Sequence, residues 1–443
     1  RFAGGTRALR WHFAGTLGPA AARQPQCDTF TGMPDATTYG LAEMLAVARR
    51  AGAAVDLVTP LSDGTPEEAA AMLAYVAGDA AMTAALGTDR AGTDWETAGR
   101  WAARRDGAAV PVALVEIGNE PYLSLAVGPS SSCGRAGRFR QDERWEGDRR
   151  IPLTAAEYAA EVRRTATALR AVDPSVTIGA AAMTSFAGDE DVATVVAEHD
   201  AATGDAWNPR LVADAADSFD AFVLHPYDFA GSDDRVRLAE RARAEGRRLR
   251  ELAPDKRIAV TELGTLFDAD SMLGALVTAD FTRVALEEDW LVRMRHILIE
   301  DDPTGPFATS AAVLGPDHRH TPGWEASRLL VSGVLATRVP TTLATTAPTD
   351  DIVVLATRST DATELAALVI DRRTGADAVP LPAALALPAG CWTGTVTTID
   401  APFLTSLDVT VTEAPIEEAA GAVDLTIAPT SIVLARVASC PHG

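Results

Sequence analysis

A parallel (β/α)8 TIM barrel followed by an antiparallel β-sandwich is the α/β fold class this sequence predicts, and three observations predict it. Short apolar runs alternate with helical patterns as far as about residue 330, the grammar of a parallel sheet. No glycine-rich dinucleotide turn follows an early run, which disfavours an open doubly wound sheet. After residue 339, short segments rich in Val, Ile and Thr, bounded by Asp, Gly and Pro, replace the helical patterning. The barrel is therefore expected over 1–330 and the sandwich over 331–443.

The elements follow in order. The opening RFAGG reads as the remnant of a strand, and AAVDLVTP (53–60) as the next strand. In the helix that follows, Thr65 is placed to cap, Pro66 suits the first turn and Glu68 completes a capping box. PVALVEIGNE (111–120) is a strand. After a long loop, Thr154 and Glu157 form another capping box, and the helix behind them carries Tyr158, Val162, Leu169 and Val172 on one stripe until Asp173-Pro174 ends it. VTIGAAAM (176–183), FDAFVLHPYD (219–228), RIAVTELG (257–264) and RHILIED (295–301) continue the series. These make seven strand candidates, so a closed eight-stranded barrel needs one more before Arg1, and the first strand reads as missing. TPGWEASRLL is the last helix. DIVVLATRS, ELAALVIDRR, GTVTTID, LDVTVTE and VDLTIAPTSIVLARV are the sandwich strands.

The totals exclude several functions. Thirty-nine basic against 61 acidic residues give a formal charge of −22, a field that repels phosphate backbones and anionic lipid, so nucleic acid is not an expected partner. No apolar run approaches the roughly 20 residues of a membrane span. The cysteines at 27, 133, 391 and 440 lack zinc-ligand spacing. Disulfides are a better reading than four buried thiols, Cys391 with Cys440 and Cys27 near Cys133, and they favour an oxidising compartment, extracellular or at the cell envelope, over the cytoplasmic alternative. The sequence opens on Arg1 with no signal-peptide pattern, as though at a cut edge.

In a parallel barrel the chemistry gathers at the C-terminal ends of the strands. Four such ends carry polar residues: Arg1 with Gly4 and Gly5, Asn119-Glu120, His225-Pro226-Tyr227, and Thr261-Glu262. A lone strand-end glutamate often only begins a solvated loop. Two carboxylates on separate strands of one rim are what glycosidic cleavage requires, one protonating the leaving oxygen and the other attacking the oxocarbenium-like centre. Glu120 and Glu262 are the catalytic candidates. Asn119 suits a sugar hydroxyl, His225 and Tyr227 suit hydrogen bonding to either glutamate, and Arg1 suits holding a carboxylate ionised. Such chemistry needs no cofactor and no metal. The loop at 135–150, with six arginines against four acids, reads as a solvated, internally paired segment more than as a uronate-binding rim. Asp317, His318 and His320 read as a polar loop before the last helix.

RFAGGT, EIGNEPY, VLHPYD and VTELG, in that order at successive strand ends, resemble the retaining glycoside hydrolases of clan A. The resemblance implies a (β/α)8 barrel with Glu120 as acid/base and Glu262 as nucleophile, their carboxyl groups about 5 to 5.5 Å apart. The arginine and double glycine, the AAEYAAEVRRTATALRAVDPSVTIGAAA segment, TPGWEASRLL and the C-terminal sandwich look most similar to the α-L-arabinofuranosidases of glycoside hydrolase family 51. RFAGGT and EIGNEPY also resemble the heparanase and β-glucuronidase family, and β-xylosidases share the architecture. A barrel that binds carbohydrate without turnover is the rival from another class. An oligosaccharide or polysaccharide is the implied partner.

Overall fold

The computed structural model describes residues 1–5, 8, 10–27, 34–61, 64–122, 145–146, 149–150, 153–183, 206–228, 233–265, 268, 270–293, 320–341, 343–345, 350–374, 378–419 and 421–440. The expected strand RHILIED, the suggested neighbours Cys27 and Cys133 in their side chains, the side chains of the arginine-rich 135–150 segment, and Asp317 and His318 lie outside them. The chain divides into two compact units. One comprises Arg1–Ser185, Asp191–Leu224 and Gly246–Ala259, and the other includes His225–Glu245 and Val260–Gly443.

The architecture is a parallel five-stranded sheet with helices, TIM-barrel-like, followed by C-terminal antiparallel sheets. The chain runs α1 (Leu41–Ala51), β1 (Val55–Val58), α2 (Pro66–Ala77), α3 (Ala98–Ala103), β2 (Val112–Ile117), α4 (Ala155–Val172), β3 (Ile178–Ala181), α5 (Trp207–Ala215), β4 (Ala221–Leu224), α6 (Leu238–Leu252), β5 (Arg257–Val260), α7 (Met272–Glu287) and α8 (Pro322–Gly333). The strands neighbour one another in chain order, β1 to β5, with a helix between each pair. Every residue of β1, β3 and β4 is buried, the pattern of strands covered on both faces. The opening segment forms a single parallel bridge, Phe2 to Leu57, closed by Phe2 N–H to Asp56 O (2.8 Å) and Val58 N–H to Phe2 O (2.7 Å). That bridge sets Arg1 beside β1.

Local chemistry places the helices. At α4 the Thr154 hydroxyl accepts from Glu157 N–H while Glu157 returns to Thr154 N–H, a complete capping box. Thr321 caps α8 ahead of Pro322 in the same manner, without the return bond. At α2 only half of the expected box forms: Thr65 accepts from Glu68 N–H, but the buried Glu68 carboxylate goes to His12 Nδ1 at 2.9 and 3.1 Å. The stripe Tyr158, Val162, Leu169 and Val172 on α4 is buried as its spacing predicts. Tyr158 stacks on Trp207 of α5 at 5.0 Å. Its hydroxyl donates to Ile117 O and accepts from Ala181 N–H, both at 2.8 Å, so one side chain ties α4 to the ends of β2 and β3.

The antiparallel strands are β6 (Thr337–Val339), β7 (Leu343–Thr345), β8 (Ile352–Arg358), β9 (Glu364–Asp371), β10 (Leu381–Ala386), β11 (Trp392–Asp400), β12 (Thr410–Ala419), β13 (Ala422–Ile427) and β14 (Ser431–Ser439). One sheet runs β6-β8-β9-β14-β11-β12 and the other β7-β10-β13. Val369, Leu385, Trp392, Leu425, Ile427 and Val433 belong to the core they enclose. Cys391 and Cys440 form a disulfide with a Cα separation of 5.4 Å, as expected. Among the described residues no helix is long and apolar enough to cross a membrane.

Candidate active site

The first unit gathers Arg1, Asp56, Glu116, Asn119 and Glu120. Leaving β2, the chain turns through Gly118 at φ +74°, where an added Cβ would stand 2.5 Å from Leu61 Cδ2. Gly118 N–H donates to the Thr59 hydroxyl (3.1 Å), which fixes the turn against the end of β1. Glu120 then sits at φ +45°, a conformation that costs a non-glycine residue energy and is typical of side chains held for a task. The turn exposes Glu120 partly and buries Asn119 completely.

Arg1 reaches across this end of the sheet. Its Nε and Nη2 donate to Glu116 Oε1 and Oε2 at 2.8 and 2.6 Å, a bidentate pair, and Nη2 also donates to Asn119 Oδ1 at 2.7 Å. With its oxygen so occupied, the Asn119 amide has its Nδ2 turned toward Glu120 Oε2, 3.4 Å away. The carboxylate that Arg1 grips in this way is Glu116, within β2. Asp56 of β1 lies alongside, 3.8 Å from Arg1 Nε. Its carboxyl is raised well above the ordinary range, first by burial and then by the neighbouring Glu116.

The second unit gathers His225, Tyr227, Thr261 and Glu262, all buried. Tyr227 donates its hydroxyl to Glu262 Oε2 at 2.8 Å. His225 Nε2 meets the Thr261 hydroxyl at 3.0 Å, and its Nδ1 lies 3.9 Å from Glu262 Oε1. The short parallel pairing of Tyr227–Asp228 with Gly264–Thr265 sets Tyr227 opposite Gly264 and so beside Glu262. The Glu262 carboxyl is thus held in one orientation, with a phenol donor on one oxygen and an imidazole near the other. His320 packs against α8, its Nδ1 3.3 Å from Glu325 Oε1 and its ring 5.0 Å from that of Trp324.

The structure thus brings Arg1, Asn119 and Glu120 together in one unit and His225, Tyr227 and Glu262 in the other. Strand-end position does not reveal Asp56 and Glu116, which lie inside strands. The signal was present: each is a lone acid in an otherwise apolar run, VDLV and VALVEI, where a charge needs a buried partner.

No protein-family model and no curated protein matches the sequence. Solved structures do match. The α-L-arabinofuranosidase of Thermotoga maritima is 17% identical at a TM-score of 0.70, with 98% of this chain and 86% of that one covered. The family 51 arabinofuranosidase of Xanthomonas axonopodis pv. citri is 15% identical at 0.66, with 98% and 86% covered. A family 44 xyloglucanase of Paenibacillus polymyxa is 12% identical at 0.61, with 99% and 93% covered. At such identities the likeness is one of fold, and the fold is that of the clan A glycoside hydrolases.

Proposed function

We propose that the protein is a retaining glycoside hydrolase acting on an oligosaccharide or polysaccharide, with α-L-arabinofuranosidase-like specificity. The observation that carries this reading is the buried Glu262 just past β5, held by the Tyr227 hydroxyl with His225 alongside. Glu262 attacks the anomeric carbon and forms a glycosyl-enzyme ester, while Glu120 protonates the departing oxygen. Glu120 then takes a proton from water, which attacks the ester and releases the sugar with its configuration retained. Asn119, oriented by Arg1, donates its amide to a sugar hydroxyl. Residues 1–330 carry the catalysis and 331–443 the sandwich. Likeness in fold to the arabinofuranosidases supports the sugar, and the Cys391–Cys440 disulfide supports an extracellular or envelope location.

Nitrophenyl α-L-arabinofuranoside, β-xyloside and β-glucuronide separate the candidate sugars, and the configuration of the first-formed product, read by NMR, tests retention. Glu262→Ala should abolish the first step on every substrate. Glu120→Ala should still release nitrophenol once, stall at the ester, and regain turnover with azide, which needs no base. Equal loss in both variants on activated and unactivated substrates, without azide rescue, would remove Glu120 from the mechanism. A wild type that binds sugars and cleaves none would be a lectin-like barrel.

A further inference from the structure

We infer that Asp56 and Glu116 share one proton beneath Asn119, and that this acid–carboxylate pair is the device that fixes Arg1 and the Asn119 amide. The two acids stand on adjacent parallel strands, with Val58 paired to Glu116 and Asp56 to Leu114. Their side chains are 0% and 1% exposed. Glu116 takes two hydrogen bonds from the guanidinium. Asp56 takes none: its nearest guanidinium nitrogen is 3.8 Å away, and neither of its carboxyl oxygens meets an N–H or O–H donor among the described residues. Arg1 Nε stands 2.8 Å from Glu116 Oε1 and 3.8 Å from Asp56 Oδ2, so two buried acids flank one guanidinium nitrogen.

Two carboxyl groups hydrogen-bond each other only when one of them carries a proton. In a medium this poor in water two facing anions repel by several kcal/mol, so the pair ionises once. The proton belongs on Asp56, because Glu116 holds the salt bridge. The direction of the Asp56 pKa, raised by burial and then by Glu116, agrees. The other groups facing the pair are the Arg1 guanidinium and the Tyr158 phenol, which burial pushes up and keeps neutral. With Asp56 neutral, Glu116 and the guanidinium balance. With Asp56 ionised, the guanidinium is drawn between two acids and its bond to Asn119 Oδ1 competes with both. Asp56 is thus a positioning residue. Its effect on turnover rests on the function proposed above, but the shared proton does not.

The test starts with the intact protein. Infrared difference spectra across a pH titration should show a protonated carboxyl stretch persisting above the ordinary carboxylate range, and Asp56→Asn should lack it. A wild type without that band overturns the inference before any variant is made. Stability gives a second readout. A native state that keeps a proton the unfolded chain has released loses stability as pH rises through the raised pKa. The wild-type melting temperature should therefore fall relative to that of Asp56→Asn as pH rises from the ordinary carboxylate range, and parallel pH profiles would overturn the pair. The amide of Asp56→Asn donates to Glu116 without titrating, whereas Asp56→Ala donates nothing. Turnover of Asp56→Asn should exceed that of Asp56→Ala by about tenfold, the value of one hydrogen bond to a charged group. Equal turnover in both would refute the positioning role. The infrared and melting readouts decide the pair even where no glycoside is cleaved.

Discussion

Replacing Tyr227 by phenylalanine removes one oxygen and tests the Glu262 assignment. The Tyr227 hydroxyl donates to Glu262 Oε2 over 2.8 Å, and both side chains are buried, at 7% and 4% residue exposure, so water cannot readily replace the lost donor. A hydrogen bond to a charged group contributes about 1.5–3 kcal/mol. If that bond positions the carboxylate for attack, its loss raises the barrier by a similar amount, or about 10- to 150-fold in kcat/KM. The phenylalanine ring fills the same space, so the fold should survive, and a thermal melt checks that. The assay compares wild type and Tyr227→Phe on a nitrophenyl α-L-arabinofuranoside, with kcat and KM separated. The first step should slow, and the loss should appear in kcat more than in KM. A double-mutant cycle read in thermal stability sharpens the test, because in a Glu262→Ala background the added Tyr227→Phe should cost nothing further. Activity of Tyr227→Phe within about twofold of wild type, or an equal penalty in both backgrounds, would refute the reasoning, since a surface-like effect stays under about 0.5 kcal/mol.

Two further outcomes follow from geometry alone. The Cys391–Cys440 disulfide closes a loop with a sequence separation of 49, for which the chain-entropy model gives about 4 kcal/mol of stabilisation. Urea denaturation of Cys391→Ser/Cys440→Ser should show a loss approaching that size, and a loss below about 1 kcal/mol would count against the entropic account. Gly118→Ala forces a Cβ against Leu61 at a positive φ, so it should lower stability by about 1–3 kcal/mol and reduce turnover by displacing Asn119 and Glu120. An unchanged melt with unchanged turnover would show that the turn is not what sets those side chains.

Much of this molecule was legible without coordinates, where the information is local. Alternating apolar and helical periods specify a parallel sheet because each period is set by the geometry of its own backbone. Thr154 with Glu157, and Thr321 ahead of Pro322, specify helix starts because a side chain reaches an N–H three residues on. Cys391 and Cys440 met as their places in one run of strands implied. Tyr227 and Glu262 were recognisable as strand-end groups, and parallel pairing sufficed to join them. Tertiary structure decided the rest. Glu68 has the spacing of a capping-box acid, yet its carboxylate went to His12, 56 positions away. Arg1 has the chemistry to hold any carboxylate, and the one it holds in a bidentate pair is Glu116, 115 positions along the chain. Asp56 and Glu116 came face to face because β1 and β2 pair in one register, with a shift after Val55. A local pattern fixes which face a side chain occupies, but only the register between strands fixes which buried charge it meets, and a buried charge takes the partner that register supplies.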